Sequence, residues 1–292
     1  MRLPAPLSFE QEIVIFFIAQ PLIFHEFIII EGTDYMNELE SRLRQQLQNK
    51  KILLMTHLVL GYPSFEVNRR VIDQMVAGGV DLIELQIPFS EPVADGPMIL
   101  KANQASIANR TTVAGCLDFA AEMTALHNLP FLFMTYYNIV FKFGEEAFVN
   151  RAADLGISGF IIPDLPPEEG GQYLRFIREK GLAPIQIFAP TSSPERMRFL
   201  ATQGTGFVYC VARRGVTGSK TDFDQVFYDY LDRCRQATDL PLAVGFGIRS
   251  RQDIEMLQDR ADIAVIGTET IRLVDEQGAS AVEPFIRGLR AG

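Results

Sequence analysis

The sequence predicts an α/β fold, a closed (βα)8 barrel beginning near Met36, and three observations carry that prediction. Eight short apolar runs of β character recur along the chain. Segments with helical spacing separate them, and several of those segments end in a glycine three residues before the next run. In order, the runs are Ile52–Leu60, Leu82–Ile87, Phe131–Thr135, Gly159–Ile162, Pro184–Phe188, Phe207–Val211, Leu242–Val244 and Ala264–Ile266. Val67, Val71 and Met75 follow the N-cap candidate Ser64 at one helical period; Tyr173, Phe176 and Ile177 do the same before the fifth run. Gly79, Gly156, Gly181 and Gly204 are read as left-handed helix stops. Spacings of mostly about 22 to 35 residues between runs fit βα units with short connections. An open doubly wound sheet would want a Gly-x-Gly-x-x-Gly after an early strand, and the sequence has none. Residues 36–292 are therefore read as a single-domain (βα)8 TIM barrel with an N-terminal extension, residues 1–35.

The extension reads differently from the rest. Ile13–Ile30 is rich in Ile, Phe and Leu but is interrupted by Gln20, Pro21, His25 and Glu26, and its longest uncharged stretch is too short to cross a bilayer as a helix. Arg2 stands alone against five acids, the wrong balance for a secretory signal. It is read as an appended or mis-started leader in preference to a docking strand or partner-binding tail, and its removal is expected to leave activity unchanged. Asn37–Gln48 is amphipathic and is where the fold is expected to open.

Composition removes several classes of function. With 27 Lys+Arg against 36 Asp+Glu the formal charge is −9, which argues against nucleic acid or an anionic membrane as a partner. Cys116, Cys210 and Cys234 are an odd count with no CxxC, so a reducing cytoplasm is the natural compartment. His25, His57 and His127 are scattered, and no metal site is expected. His57 falls in a strand and is read as a core or lumen residue.

Chemistry in such a barrel belongs at the C-terminal ends of the strands. In the second run Ile83, Leu85 and Ile87 form one apolar face, so Leu82, Glu84 and Gln86 point into the lumen. A carboxylate there is costly unless paired or used, and the strands supply almost no inward cation, so Glu84 is a candidate catalytic acid/base. The following loop, Pro88 to Pro97, holds three prolines and is expected to be stiff, presenting Asp95 opposite Glu84. Alone, Asp95-Gly96 is equally a turn. The last three runs are followed by glycine-bearing segments: Arg213 to Ser219, Gly245-Phe246-Gly247 and Gly267-Thr268. Such turns let backbone N–H groups approach an anion and predict a phosphorylated small molecule. Tyr136 and Tyr209 lie at strand ends, where their rings either pack an aromatic substrate or simply fill the core.

These residues carry a family resemblance. Glu84-Leu85-Gln86-Ile87-Pro88-Phe89-Ser90-Glu91-Pro92-Val93-Ala94-Asp95-Gly96-Pro97 resembles the signature of the tryptophan synthase α subunit. Met134 to Asn138, Pro163-Asp164-Leu165-Pro166, Tyr209 with Arg213 and Gly215-Val216-Thr217-Gly218, and Gly245-Phe246-Gly247-Ile248 match it in the same order. The resemblance covers about residues 36 to 290. It implies retro-aldol cleavage of indole-3-glycerol phosphate to indole and glyceraldehyde 3-phosphate without a cofactor. It implies Glu84 as general acid/base and Asp95 at the indole N–H. Phosphate binding is expected at Gly218, Gly247, Gly267 and Thr268, with Arg213 and Thr217 in a loop that closes. It also implies a β subunit carrying pyridoxal phosphate, in an α2β2 heterotetramer.

Some positions depart from the family pattern. Gln86 stands where Gly is usual and is expected to crowd the indole site or bond Glu84; Tyr62, Glu91, Arg214 and Thr268 also differ. Besides the α subunit, two readings stay open: a stand-alone lyase of the same family, and a weakly active paralogue kept as a binding or allosteric partner, or another phosphate-binding barrel isomerase.

Overall fold

Asn37 opens the first helix, its side-chain oxygen accepting the Glu40 N–H at 2.9 Å, which satisfies one of the donors a helix start leaves free. The computed structural model describes residues 37–211, 225–245 and 247–290; the 1–35 extension lies outside them. In chain order the elements begin α1 (Glu38–Leu47), β1 (Leu53–Val59), α2 (Phe65–Gly78), β2 (Leu82–Gln86), α3 (Pro97–Ala108), α4 (Val113–Leu126) and β3 (Phe131–Met134). Then come α5 (Tyr137–Phe143), α6 (Glu145–Asp154), β4 (Gly159–Ile161), α7 (Gly171–Glu179), β5 (Ala183–Phe188), α8 (Pro194–Gln203) and β6 (Val208–Val211). The chain ends with α9 (Gln225–Ala237), β7 (Leu242–Gly245), α10 (Arg251–Leu257), β8 (Ile263–Ile266), α11 (Thr268–Gln277) and α12 (Val282–Arg290).

All neighbouring strands are parallel, and β1 pairs with β8, so the sheet closes as a TIM barrel. Strand alternation sorts the apolar residues into two cores. Ile83, Leu85, Phe133, Phe160 and Val244 face the surrounding helices, whereas Leu53, Met55, Leu82, Leu132, Ile185 and Val265 fill the lumen. Leu39 and Leu43 of α1 belong to the lumen cluster, so this helix plugs the N-terminal end of the barrel. That arrangement leaves the C-terminal end for chemistry.

The helix stops follow the sequence reading at three of four places. Gly79 caps α2 at φ +90°, in the left-handed region a Cβ would disfavour, and Gly156 and Gly181 share the positive φ. Gly204 does not. It is extended, and a side chain there would meet Gln186 Cγ at 2.8 Å; the left-handed residue is Gly206, two positions later. Glycine at 204 thus answers a close approach to β5.

The bottom of the barrel is tied by one buried carboxylate. Asp81, 2% exposed, accepts from the Leu54 N–H at 2.8 Å and pairs with Lys50 and with Arg290 of α12. It thereby joins the start of β2 to β1 and to the last described helix. Among the described residues no helix is long and apolar enough to cross a membrane.

Candidate active site

The lumen changes character toward its C-terminal end. On β1 the inward set runs Leu53, Met55, His57; on β2 it runs Leu82, Glu84, Gln86. The β1–β2 register sets His57 beside Glu84, and His57 Nδ1 lies 3.2 Å from Glu84 Oε1. Both are buried, at 4% and 3% exposure, so their charges act on one another with little screening. Burial pulls the imidazole pKa down, but Glu84's charge and hydrogen bond, with Asp95 and Gln86 behind them, outweigh it and hold the proton on above the ordinary 6.5. The second nitrogen, Nε2, and the second Glu84 oxygen, Oε2, are buried without protein partners.

Asp95 sits half-buried in the β2–α3 loop. Gln86 Nε2 donates to its Oδ2 at 2.6 Å, and Asn103 Nδ2 of α3 reaches the same oxygen at 3.4 Å. Gln86 therefore holds Asp95 and makes no bond to Glu84 among those the structure gives it. Burial raises the Asp95 pKa above the usual carboxylate range, and Glu84's charge adds to that. The Gln86 bond, His57 and Tyr136 pull the other way without cancelling it. Two carboxylates and an imidazole are thus coupled at one side of the mouth.

The loop is stiff for reasons beyond its prolines. Asn103 Oδ1 accepts the Phe89 N–H at 2.9 Å, and the Tyr136 hydroxyl accepts the Ala94 N–H at 3.2 Å. Tyr136 is fully buried with its ring stacked on Phe89, centroids 5.0 Å apart; burial and the nearby Asp95 push its phenol pKa well up. It buttresses the loop, and the partly exposed Phe89 is the ring next to the lumen cluster. Tyr209 of β6 is half-buried on the lumen side, and it feels both Glu84 and Asp95, which with burial raise its phenol pKa. A Cβ on Gly245 would lie 2.7 Å from the Tyr209 hydroxyl, so β7 needs glycine for this ring to sit where it does.

The neighbouring rim, over β7 and β8, is built from glycine. Among the described residues, a Cβ at Gly247 would meet nothing within 4 Å, and at Gly267 only His57 Cβ at 3.9 Å. Gly267 is the N-cap of α11, and Thr268 is its first residue. Thr270 donates to the carbonyls of Gly267 at 2.7 Å and of His57 at 3.1 Å, fastening this rim to the top of β1. Arg213, Thr217 and Gly218 lie outside the described residues, as does Phe246. Sequence reasoning missed His57 as the partner of Glu84, and it missed Asn103, Phe89 and Thr270. Only His57 carried a signal, its place in the alternation of β1. Among the described residues no three His, Cys, Asp or Glu side chains gather as a metal would require.

A closed barrel with coupled acids at its mouth defines an acid–base enzyme of the (βα)8 class. Residues 43–287 match the family model described as tryptophan synthase alpha chain. The chain is 62% identical over 252 residues to the tryptophan synthase alpha chain of Desulfotalea psychrophila, covering 86% of this chain and 99% of that one. It is 57% identical over 251 residues to that of Desulforapulum autotrophicum, with the same coverages. A chain of Mycobacterium tuberculosis tryptophan synthase superposes with TM-score 0.82 at 30% identity, covering 88% of this chain and 100% of that one. A structure titled for the tryptophan synthase a2b2 complex of Pyrococcus furiosus gives 0.76 at 27%, over 81% and 97%. The chain belongs to the tryptophan synthase alpha chain family. Its reaction is the carbon–carbon lyase step that cleaves indole-3-glycerol phosphate to indole and glyceraldehyde 3-phosphate.

Proposed function

We propose that Glu84 and Asp95 divide the proton transfers of this cleavage. Indole C3 must become tetrahedral before its bond to the glycerol chain opens. Glu84 delivers a proton to C3 while Asp95 stabilises the indole N–H, or takes its proton and returns it as the bond opens. As the bond breaks, its electron pair returns to the ring, the chain hydroxyl becomes an aldehyde, and Glu84 takes the hydroxyl proton. One proton is given and one taken back, so the cycle closes without a cofactor. The observation that carries this is the coupling of both carboxylates at one side of the lumen mouth.

The phosphate is assigned to Gly247, Gly267 and Thr268, where open backbone meets the start of α11, together with Gly218. Binding there orients the substrate and lends remote binding energy to the reacting end. Tyr209 and Phe89 flank the indole, Tyr136 acts through Phe89, and Arg213 with Thr217 belong to the closing loop. The partner is a tryptophan synthase β subunit in an α2β2 assembly, a reading supported by the likeness to the a2b2 complex of Pyrococcus furiosus, with pyridoxal phosphate on the partner alone. Three free cysteines and the absence of a spanning helix among the described residues fit a cytoplasmic enzyme.

The test is indole release from indole-3-glycerol phosphate by the full chain, with and without a β subunit. Wild-type turnover should be slow alone and strongly accelerated by the partner, and Glu84→Gln should eliminate it with the fold intact. Equal rates with and without a partner would instead make this a stand-alone lyase. Normal turnover in Glu84→Gln would overturn the assignment.

A further inference from the structure

Glu84 is asked to act twice in one turnover, as acid and then as base, from a buried position with one oxygen already engaged. We propose that His57 is the positioning residue and proton store of Glu84, bridging the two proton transfers through the 3.2 Å Nδ1–Oε1 contact. The inference rests on the reading of Glu84 as the acid/base. It goes further in making the pair, and not the carboxylate alone, the unit that carries the proton.

The geometry supplies three supports. The β1–β2 register fixes the two side chains as direct neighbours, so the contact is a property of the sheet and not of a mobile loop. Thr270 grips the carbonyl of His57, which ties the backbone under the imidazole to α11. The remaining polar atoms of the pair, His57 Nε2 and Glu84 Oε2, are buried and unpartnered, leaving Oε2 free to exchange protons with a substrate. The charges that act on the imidazole are Glu84 and, beyond it, Asp95. On α11, packed against β1, Glu269 is taken up by Arg272 and Arg249; on α3, Lys101 pairs with Asp275. None of these competes for the ring.

The balance is simple. In the resting pair the proton sits on His57 Nδ1 or on Glu84 Oε1, two tautomers of one net-neutral unit. When the unit's one exchangeable proton passes through Glu84 to indole C3, a neutral imidazole and a carboxylate remain, and the pair becomes net negative. The hydroxyl proton released on C–C cleavage restores it. Losing the stored proton to solvent at high pH removes the acid before the reaction begins, so the pair sets the alkaline limb of kcat. His57 retains its proton above 6.5, which keeps that limb high.

Two measurements test this on the full chain. In histidine-labelled protein, His57 is assigned by its disappearance in His57→Asn and titrated by NMR. Its pKa should fall by about one unit or more in Glu84→Gln, while His127, paired with Asp73, stays put. An unmoved His57, or one that never protonates, overturns the proposal whatever the substrate. In indole release, His57→Asn keeps a donor near Oε1 but cannot store a proton. It should hold KM within about twofold, lose about tenfold in kcat and move the alkaline limb down by about one pH unit or more. His57→Phe should show the same limb shift. A loss of melting temperature or a rise in KM with the limb unmoved would mean a structural role only, and would also overturn it. Should Glu84→Gln remain active, the assignment of Glu84 fails, and the NMR coupling still reports separately on the pair.

Discussion

The two halves of the barrel mouth are built from opposite materials. Over β1 and β2 the lumen is filled with side chains that titrate or bond: His57, Glu84 and Gln86, with Asp95 above them. Over β7 and β8 the chain offers Gly245, Gly247 and Gly267; among the described residues a Cβ at Gly247 would meet nothing, and one at Gly267 would only touch His57 Cβ at 3.9 Å. The first half works through protons placed on particular atoms, the second through backbone exposed to an approaching group. Mutations in the first should therefore act on kcat and in the second on KM.

The largest expected effect is that of Glu84→Gln, a loss of about a thousandfold or more in turnover with little change in KM. Asp95→Asn should follow at about a hundredfold, read in the same indole assay. Stability should move the other way. Burial first, and then Glu84's charge, raise the Asp95 pKa in the folded chain above its unfolded value. Ionising it therefore opposes folding, and its cost grows as pH rises from about 3.8 through the folded value. The asparagine variant should melt no lower than wild type near pH 7, and the gap should narrow as pH falls.

Smaller effects sharpen the contrast. Gln86→Leu removes the 2.6 Å bond to Asp95 and should lower kcat about tenfold, since bonds to charged groups carry about 1.5–3 kcal/mol. Gly267→Ala adds a methyl at the start of α11, 3.9 Å from His57 Cβ and without a clash, and should raise KM about fivefold with kcat held. If it lowers kcat instead, the two halves are not separable. Last, Tyr62→Phe breaks the 2.9 Å bond to Asp275 and should cost about 1 kcal/mol of stability with no change in turnover of the isolated chain.

Much of this was readable in the sequence because parallel barrels write their strands as short apolar runs. Each predicted run contains or overlaps an observed strand; Ile52–Leu60, for example, overshoots Leu53–Val59 by one residue at each end. Glu84 was legible because period-two alternation placed it in a lumen of hydrocarbon. What was hidden depended on register. That His57 stands beside Glu84 follows from how β1 and β2 align, and a parallel register is set by the whole intervening α2 unit. Asn103 was equally silent: eight residues beyond Asp95, on a helix, nothing marks it as the residue that steadies the loop. The Gly204 reading failed because glycine answers both a left-handed backbone and a tight approach, and sequence does not tell these apart.

Asp81 has a practical consequence at the far end of the molecule from the chemistry. Because Arg290 clasps it, the last turn of α12 is a fastener between the barrel's first two strands and its C-terminus. Loss of that arginine would leave the buried carboxylate with only Lys50 and the Leu54 N–H to answer it. A fusion partner attached there without slack would pull on the same clasp, so a tag on this enzyme is better carried on a flexible spacer.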